Sequence, residues 1–225
     1  MKAMILSSGG VDSTTALAMA VDKFGAQEVT TISIFYGQKH SRELESARKI
    51  AKFYGVAHIE FDLSQIFKQS NSSLLTHSTD SIDHRSYSDQ LKNQSRVSTN
   101  VPFRNGVMLA VATSIADSHD EEQIELYIGA HADDAAGNAY ADCSKEFIDA
   151  FGKSIEVATY GKVKLIAPFV GKNKSEVVKI GLNLKVPYEL TWSCYESGET
   201  PCGKCATCID RQRAFESNHV KDPAL

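Results

Sequence analysis

The chain has 225 residues and carries 24 Lys+Arg against 28 Asp+Glu, a formal charge of −4 with His neutral. Hydrophobic residues make up 42% and charged residues 23%, a balance that excludes disordered and collagen-like chains. The weak acidity argues against a protein that coats nucleic acid or anionic membrane, because both need clustered cations. In chain order, residues 3–6 read as a buried strand, residues 7–13 as a glycine-containing turn, and residues 14–24 as a helix stopped by Gly25. Residues 29–35 are β-branched and apolar, a second strand. Residues 41–54 form an amphipathic helix with Leu44, Ala47, Ile50, Ala51 and Tyr54 on one face, and residues 56–61 alternate as a third strand. This spacing predicts right-handed crossovers and an α/β fold, a Rossmann-like parallel sheet with helices on both faces.

Residues 62–100 lose periodicity in Ser, Thr, Asn and Gln, which predicts a lid-like or mobile insertion. Helices are expected at 104–117, 144–158 and 174–181, and strands at 124–128 and 164–167. The segment from Trp192 onward is short, cysteine-rich and separate in character. The apolar start, residues 1–6, is too short for a signal-peptide core, and no stretch approaches the ~18 residues that span a bilayer. The expected location is therefore the cytoplasm, where thiols stay reduced and a cysteine cluster points to metal or catalysis.

The strongest local signal is Ser8-Gly9-Gly10-Val11-Asp12-Ser13-Thr14, between the first strand and the first helix. Two glycines let a backbone approach a ligand closely, and the helix start offers free N–H groups and a positive dipole end to an anion. The hydroxyls of Ser8, Ser13 and Thr14 add donors, so the segment reads as a phosphate loop rather than a simple capped turn. No Lys-Ser/Thr pair follows at Walker spacing, and the dinucleotide pattern G-x-G-x-x-G is absent.

Cys194, Cys202, Cys205 and Cys208 supply four soft ligands on a turn-rich stretch shaped by Pro201 and Gly203. Four thiolates close a tetrahedral Zn²⁺ site, so a structural zinc is expected, with redox or sulfur-carrier cysteines as the competing reading. Cys143 stands alone and reads as packing. Loops at predicted strand ends carry Gln38 and His40, then Arg104 and Asn105 at a helix start. A further loop carries Asp133 and Asp134, followed by Tyr140, Asp142 and Cys143.

The loop Ser8 to Thr14 resembles the Ser-Gly-Gly-x-Asp-Ser signature of the PP-loop ATP pyrophosphatases. Taken with Tyr36-Gly37-Gln38-Lys39-His40, Val101-Pro102-Phe103-Arg104-Asn105, the Gly129 to Cys143 segment, the four cysteines and Arg211, the chain is similar to the QueC family of queuosine-precursor enzymes. It departs from that family at Ala141, where a proline is usual, and in a longer spacing from Asp134 to Tyr140. The resemblance implies ATP-dependent conversion of 7-carboxy-7-deazaguanine and ammonia to the 7-nitrile, preQ0, through an adenylated intermediate. A tRNA-modifying thiolase or lysidine-type ligase and a non-catalytic ATP sensor are the alternatives.

The resemblance further implies a PP-loop ATP-binding domain over residues 1–190 and a zinc-binding segment over 191–225. ATP is expected at Ser7, Ser8, Gly9, Gly10, Val11, Asp12, Ser13, Thr14, Thr15, Ala16 and Leu17, with adenine near Ser33 and Tyr36. Substrate contacts are expected from Gln38, His40, Asn105, Asp134, Tyr140 and Asp142. Asp12, Arg104 and Lys174 are the expected catalytic residues, with Mg²⁺ on the polyphosphate. No direct nucleic-acid partner is expected, and the family resemblance is compatible with a homodimer.

Overall fold

The computed structural model describes residues 1–225 except 40–41, 86, 93–95, 136–138, 197 and 225. Five parallel strands form one sheet: β1 (Ala3–Leu6), β2 (Val29–Phe35), β3 (Ala57–Asp62), β4 (Ile124–Tyr127) and β5 (Val163–Ile166). Their order is β3-β2-β1-β4-β5, with Ala3 of the central strand paired to Val29 on one side and Glu125 on the other. Helices α1 (Val11–Phe24), α2 (Arg42–Tyr54) and α7 (Lys174–Asn183) cover one face, α4 (Arg104–Asp117) and α6 (Lys145–Ala158) cover the other, and the single turn α5 (Ala132–Ala135) follows β4. The period-2 alternation of β1 explains how one short strand serves both layers. Ala3 and Ile5 pack toward Leu17 and Val177, while Met4 packs toward Leu109 and Ala112. The expected α/β class and the strand–helix order through β3 agree with this architecture.

Helix α1 begins at Val11, earlier than the expected 14, because Gly10 takes the N-cap position and residues 11–13 already wind. The polar stretch after β3 carries a 3₁₀ turn (Ser64–Phe67) and a short helix α3 (Tyr87–Leu91). Phe67, Leu74 and Leu75 bury against Tyr36, and Val97 joins the main core. Backbone bonds from Lys39 N–H to the Leu74 carbonyl and from Thr76 N–H to the Gly37 carbonyl, both 2.8 Å, pin this stretch to the loop after β2. Its few apolar residues follow neither helical nor strand period, so sequence pattern did not reveal the packing.

Downstream of Trp192, helix α8 (Ala206–Ser217) packs on α7 through Ala214 and Phe215, which join Val11, Val178 and Tyr188. Arg211, fully enclosed there, makes a two-pronged ion pair with Asp222 at 2.6 and 2.8 Å and donates to Thr191 Oγ1 at 2.7 Å. The tail after the cysteines thus packs on the α7 side of the core. No helix among the described residues is long and apolar enough to cross a membrane.

Candidate functional site: a cleft at the strand ends

The loops after β1 and β4 diverge where strand order reverses, and a cleft opens at the C-terminal ends of these strands. Its empty volume is about 1290 Å³ counting the open mouth, and it runs from the loop after β1 to the start of α4.

At one end lies the glycine loop. Gly10 caps α1 with extended backbone and no side chain satisfies the helix start, so the first N–H groups are left for an anion. Ser7, Ser8, Gly10, Asp12 and Ser13 line the cleft, with the Ser8 and Ser13 hydroxyls 3.2 Å apart. The two glycines of the loop differ in purpose. A Cβ on Gly9, whose φ is +74°, would sit 2.4 Å from the Glu43 carbonyl oxygen and 2.7 Å from Ala47 N. Gly9 therefore admits α2 rather than a ligand. Gly129 does the same for β4: a Cβ there would lie 2.9 Å from Ser13 N.

The remaining residues of the expected nucleotide run turn away from the cleft. Thr14 Oγ1 donates to the Gly10 carbonyl at 2.7 Å, and Thr15 Oγ1 to the Val11 carbonyl at 2.8 Å. Val11, Ala16 and Leu17 are core residues, because a helix directs only one face to the cleft. Ser33 also turns away and donates to the Ser7 carbonyl at 2.5 Å, while strand alternation presents Ile32 and Ile34 instead.

Beside the loop is a charge cluster drawn from three segments. Lys174 Nζ, on the first residue of α7, contacts Asp12 Oδ2 and lies 3.4 Å from His131 Nε2. His131 Nε2 is 3.3 Å from Asp134 Oδ2 and 3.8 Å from Asp12 Oδ2. Asn173 and Glu176 form a reciprocal capping box that fixes where α7 begins, and the Lys174 N–H donates to Asp133 Oδ2 at 2.8 Å. Burial works against the Asp12 carboxylate, yet Lys174 and His131 hold it below the usual range. Burial pushes Asp134 up, against the pull of His131 and Lys174. Asp12 Oδ1 is buried and accepts no hydrogen bond among the described residues.

The far end is assembled from four segments. Tyr36 N–H donates to Gln38 Oε1 at 2.9 Å, and the Arg104 guanidinium lies 5.3 Å from the Tyr36 ring centroid. Asn105 and Tyr140 line the cleft, and Tyr140 OH meets Thr99 Oγ1 at 2.6 Å and Tyr195 OH at 3.3 Å. Asp142 stands behind this surface: its Oδ2 accepts the Asn105 N–H at 2.8 Å and fixes the start of α4. His40 lies outside the described residues.

Sequence reasoning did not single out His131, Glu43, Tyr195, Thr207 or Asp210, all of which line the cleft. His131 sat in a flagged loop, but Glu43 reads as one more solvated charge of an amphipathic helix. Burial pushes its carboxyl up to about 7, against the Arg104 charge and a hydrogen bond from Gln38.

The four cysteine sulfurs lie within 4.8 Å of one another. With Zn–S bonds of about 2.3 Å, a tetrahedron has S···S edges of about 3.8 Å, and Cys202 and Cys208 stand 4.0 Å apart. Backbone N–H groups of Glu196 and Cys202 donate to Cys194 Sγ, and that of Cys205 to Cys202 Sγ, each at 3.3 Å. Such donors favour thiolates, so the donor set fits a closed zinc site. Trp192, Ser193, Tyr195, Thr207 and Asp210 from this segment line the cleft. A metal there would order one side of the cleft from outside it.

The parallel sheet, the uncapped glycine loop and the lysine–aspartate cluster at its switch point define an α/β nucleotide-binding protein of the PP-loop kind. The chain belongs to the QueC family: the family described as queuosine biosynthesis protein QueC matches residues 2–219. The 7-cyano-7-deazaguanine synthase of Archaeoglobus fulgidus is 42% identical over all of this chain and 90% of its own length. That of Caldicellulosiruptor saccharolyticus is 44% identical over 99% of this chain and 94% of its own. Among solved structures, an NMN synthetase from Francisella tularensis aligns with TM-score 0.52 and 16% identity, covering 98% of this chain and 78% of that one. The U34-tRNA thiolase NcsA of Methanococcus maripaludis aligns with TM-score 0.52 and 15% identity, covering 97% and 67%. Both likenesses show the fold.

Proposed function

We propose that this cleft activates the carboxylate of 7-carboxy-7-deazaguanine with ATP and converts it, with ammonia, to the nitrile. The observation that carries the reading is one continuous cleft with an anion-binding helix start at one end and a polar, aromatic chamber at the other. Such an arrangement offers a site for phosphate beside a site for a planar ring.

A carboxylate resists attack by ammonia because its oxygen is a poor leaving group. Attack by the carboxylate oxygen on the α-phosphorus of ATP expels pyrophosphate and leaves an acyl adenylate. Ammonia then adds to the carbonyl, a proton is lost, and AMP departs to give the amide. The amide oxygen then attacks the α-phosphorus of a second ATP and expels pyrophosphate, and loss of both nitrogen-bound protons and of AMP leaves the nitrile. The Ser8 and Ser13 hydroxyls and the start of α1 hold the phosphates. Lys174 and Arg104 offset charge that grows in the transition state. His131 takes the proton shed at each stage in this reading, which its 3.3 Å contact with Asp134 supports.

The buried lone pairs of Asp12 Oδ1 fit a hard cation. Asp12 would hold Mg²⁺, which supplies neutralisation of the departing pyrophosphate. Cys194, Cys202, Cys205 and Cys208 would hold a structural zinc. The test is pyrophosphate release with each component omitted in turn. Pyrophosphate release should require the carboxylate and ATP, and its sustained turnover and nitrile formation should require ammonia as well, with two ATP consumed per nitrile. Equal pyrophosphate release without the carboxylate would defeat the proposal.

A further inference from the structure

We propose that the Glu43 carboxylate, held by Gln38, reads the 2-amino-pyrimidinone edge of the deazaguanine and sets which base the cleft accepts as substrate. The inference rests on the function proposed above and deepens it.

The first ground is what the other carboxylates of the cleft already do. Asp12 is bound to Lys174, Asp134 to His131, and Asp210 faces Lys174 and Asp133 at the phosphate end. Asp142 accepts the Asn105 backbone N–H from behind the cleft surface. Glu43 lines the cleft and feels the Arg104 charge, but makes no ion pair within 4.0 Å among the described residues.

The second ground is how firmly it is held. The oxygen of the Gln38 amide is taken by the Tyr36 N–H at 2.9 Å, which leaves the amide NH₂ to donate to Glu43. The backbone of Glu43 rests on Gly9, where any Cβ would lie 2.4 Å from its carbonyl oxygen. The carboxylate is therefore presented from the first turn of a helix wedged against the phosphate loop, not from a free loop.

The third ground is chemical fit. A guanine-type edge offers two adjacent N–H donors, N1–H and the 2-amino group, and a carboxylate accepts both at once. An adenine edge offers one donor beside an acceptor nitrogen, which would face the second carboxylate oxygen with lone pair against lone pair. A cleft that must hold both ATP and a deazaguanine needs such a discriminator. Tyr36, Ile34 and Met108 line the same region with flat or apolar surface for the ring. The reacting carboxyl at C7 is on the five-membered ring, across the base from this edge, and stays free.

The test pairs the near-isosteric E43Q with a substrate analogue lacking the 2-amino group, 7-carboxy-7-deazahypoxanthine. Wild-type enzyme should disfavour the analogue by about 100-fold in kcat/KM, because it strands a buried acceptor. E43Q should raise KM for the natural acid by a similar factor, keep KM for ATP within about twofold, and lose most of the preference between the two acids. Gln38→Ala should raise KM for the acid with KM for ATP unmoved, as a positioning residue would. Unaltered discrimination in E43Q, or a loss that falls on KM for ATP, would overturn the inference while leaving the proposed function standing. A wild type without acid-dependent pyrophosphate release would overturn both.

Discussion

The two ends of the cleft were built in different ways. The phosphate end is mostly one contiguous stretch, Ser7 to Ser13, folded as a strand end, a turn and the first winding of α1. The far end has no contiguous core: Tyr36 and Gln38 come from the loop after β2, Glu43 from α2, Arg104 and Asn105 from α4, and Tyr195 from the cysteine segment. Anion binding needs N–H groups and small residues in a row, which one segment supplies. Recognition of a shaped base needs side chains converging from several directions, which only distant segments supply. Substitutions at the first end should therefore strike chemistry and nucleotide together, and those at the second should separate one substrate from the other.

The largest effect is expected at the phosphate end. Asp12→Ala should reduce kcat by roughly 10³-fold or more, since it removes the ion-pair partner of Lys174, the lysine proposed to offset charge on the transferring phosphate. The pyrophosphate assay reads the loss and a thermal melt should show an intact fold.

Next is the cysteine segment, which borders both ends. Cys205→Ala, or treatment with a strong chelator, should remove one zinc equivalent per chain and lower stability by several kcal/mol. Because Trp192, Tyr195 and Thr207 line the cleft, both substrates should then bind less well. Metal-free protein with unchanged melting temperature and turnover would break this link.

Gly129→Ala is a steric test of the phosphate end alone. Its new methyl would press on Ser13 N and Asp12, so a loss of about 1–3 kcal/mol in stability and a raised KM for ATP are expected.

A pH series addresses the far end. The Glu43 carboxyl, pushed up to about 7 by burial against the pull of Arg104 and Gln38, becomes neutral below that value and loses an acceptor. KM for the acid should then rise as pH falls through about 7, by roughly tenfold per unit at the limit. KM for ATP should stay flat over the same range. A flat acid KM would detach Glu43 from that substrate.

The smallest effect should come from Thr14→Ala. Its hydroxyl is spent on the Gly10 carbonyl, so KM for ATP should stay within about twofold while stability falls by about 1 kcal/mol. A large rise in KM for ATP would mean that the phosphate loop extends deeper into α1 than the cleft lining indicates.

What could be read from the sequence followed the same division. β1, β2 and α4 have the residue limits that their periodicity predicted, and the four cysteines converge as their spacing suggested. The glycine loop was legible as a loop, but the reason for Gly9 was not. Its neighbour, the α2 backbone at Glu43 and Ala47, is more than thirty residues away in sequence. Thr15, Ala16, Leu17 and Ser33 carried the right chemistry or sat in the right run. They lost the cleft because a helix and a strand each show it only one side.

The opening composition, a mildly acidic chain with five cysteines, bounded the class of protein without naming a site. The sequence by itself determined the parallel α/β frame, the glycine loop, the four-cysteine cluster and, through their combination, the family. Each is encoded by short-range spacing: hydrophobic period, adjacent glycines, cysteines a few residues apart. Only tertiary structure decided that His131 and Asp134 meet Asp12 and Lys174, that Glu43 enters the cleft, and that the cysteine segment forms part of its wall. Those contacts join residues tens to nearly two hundred positions apart, and strand order and close backbone packing set them, not local pattern.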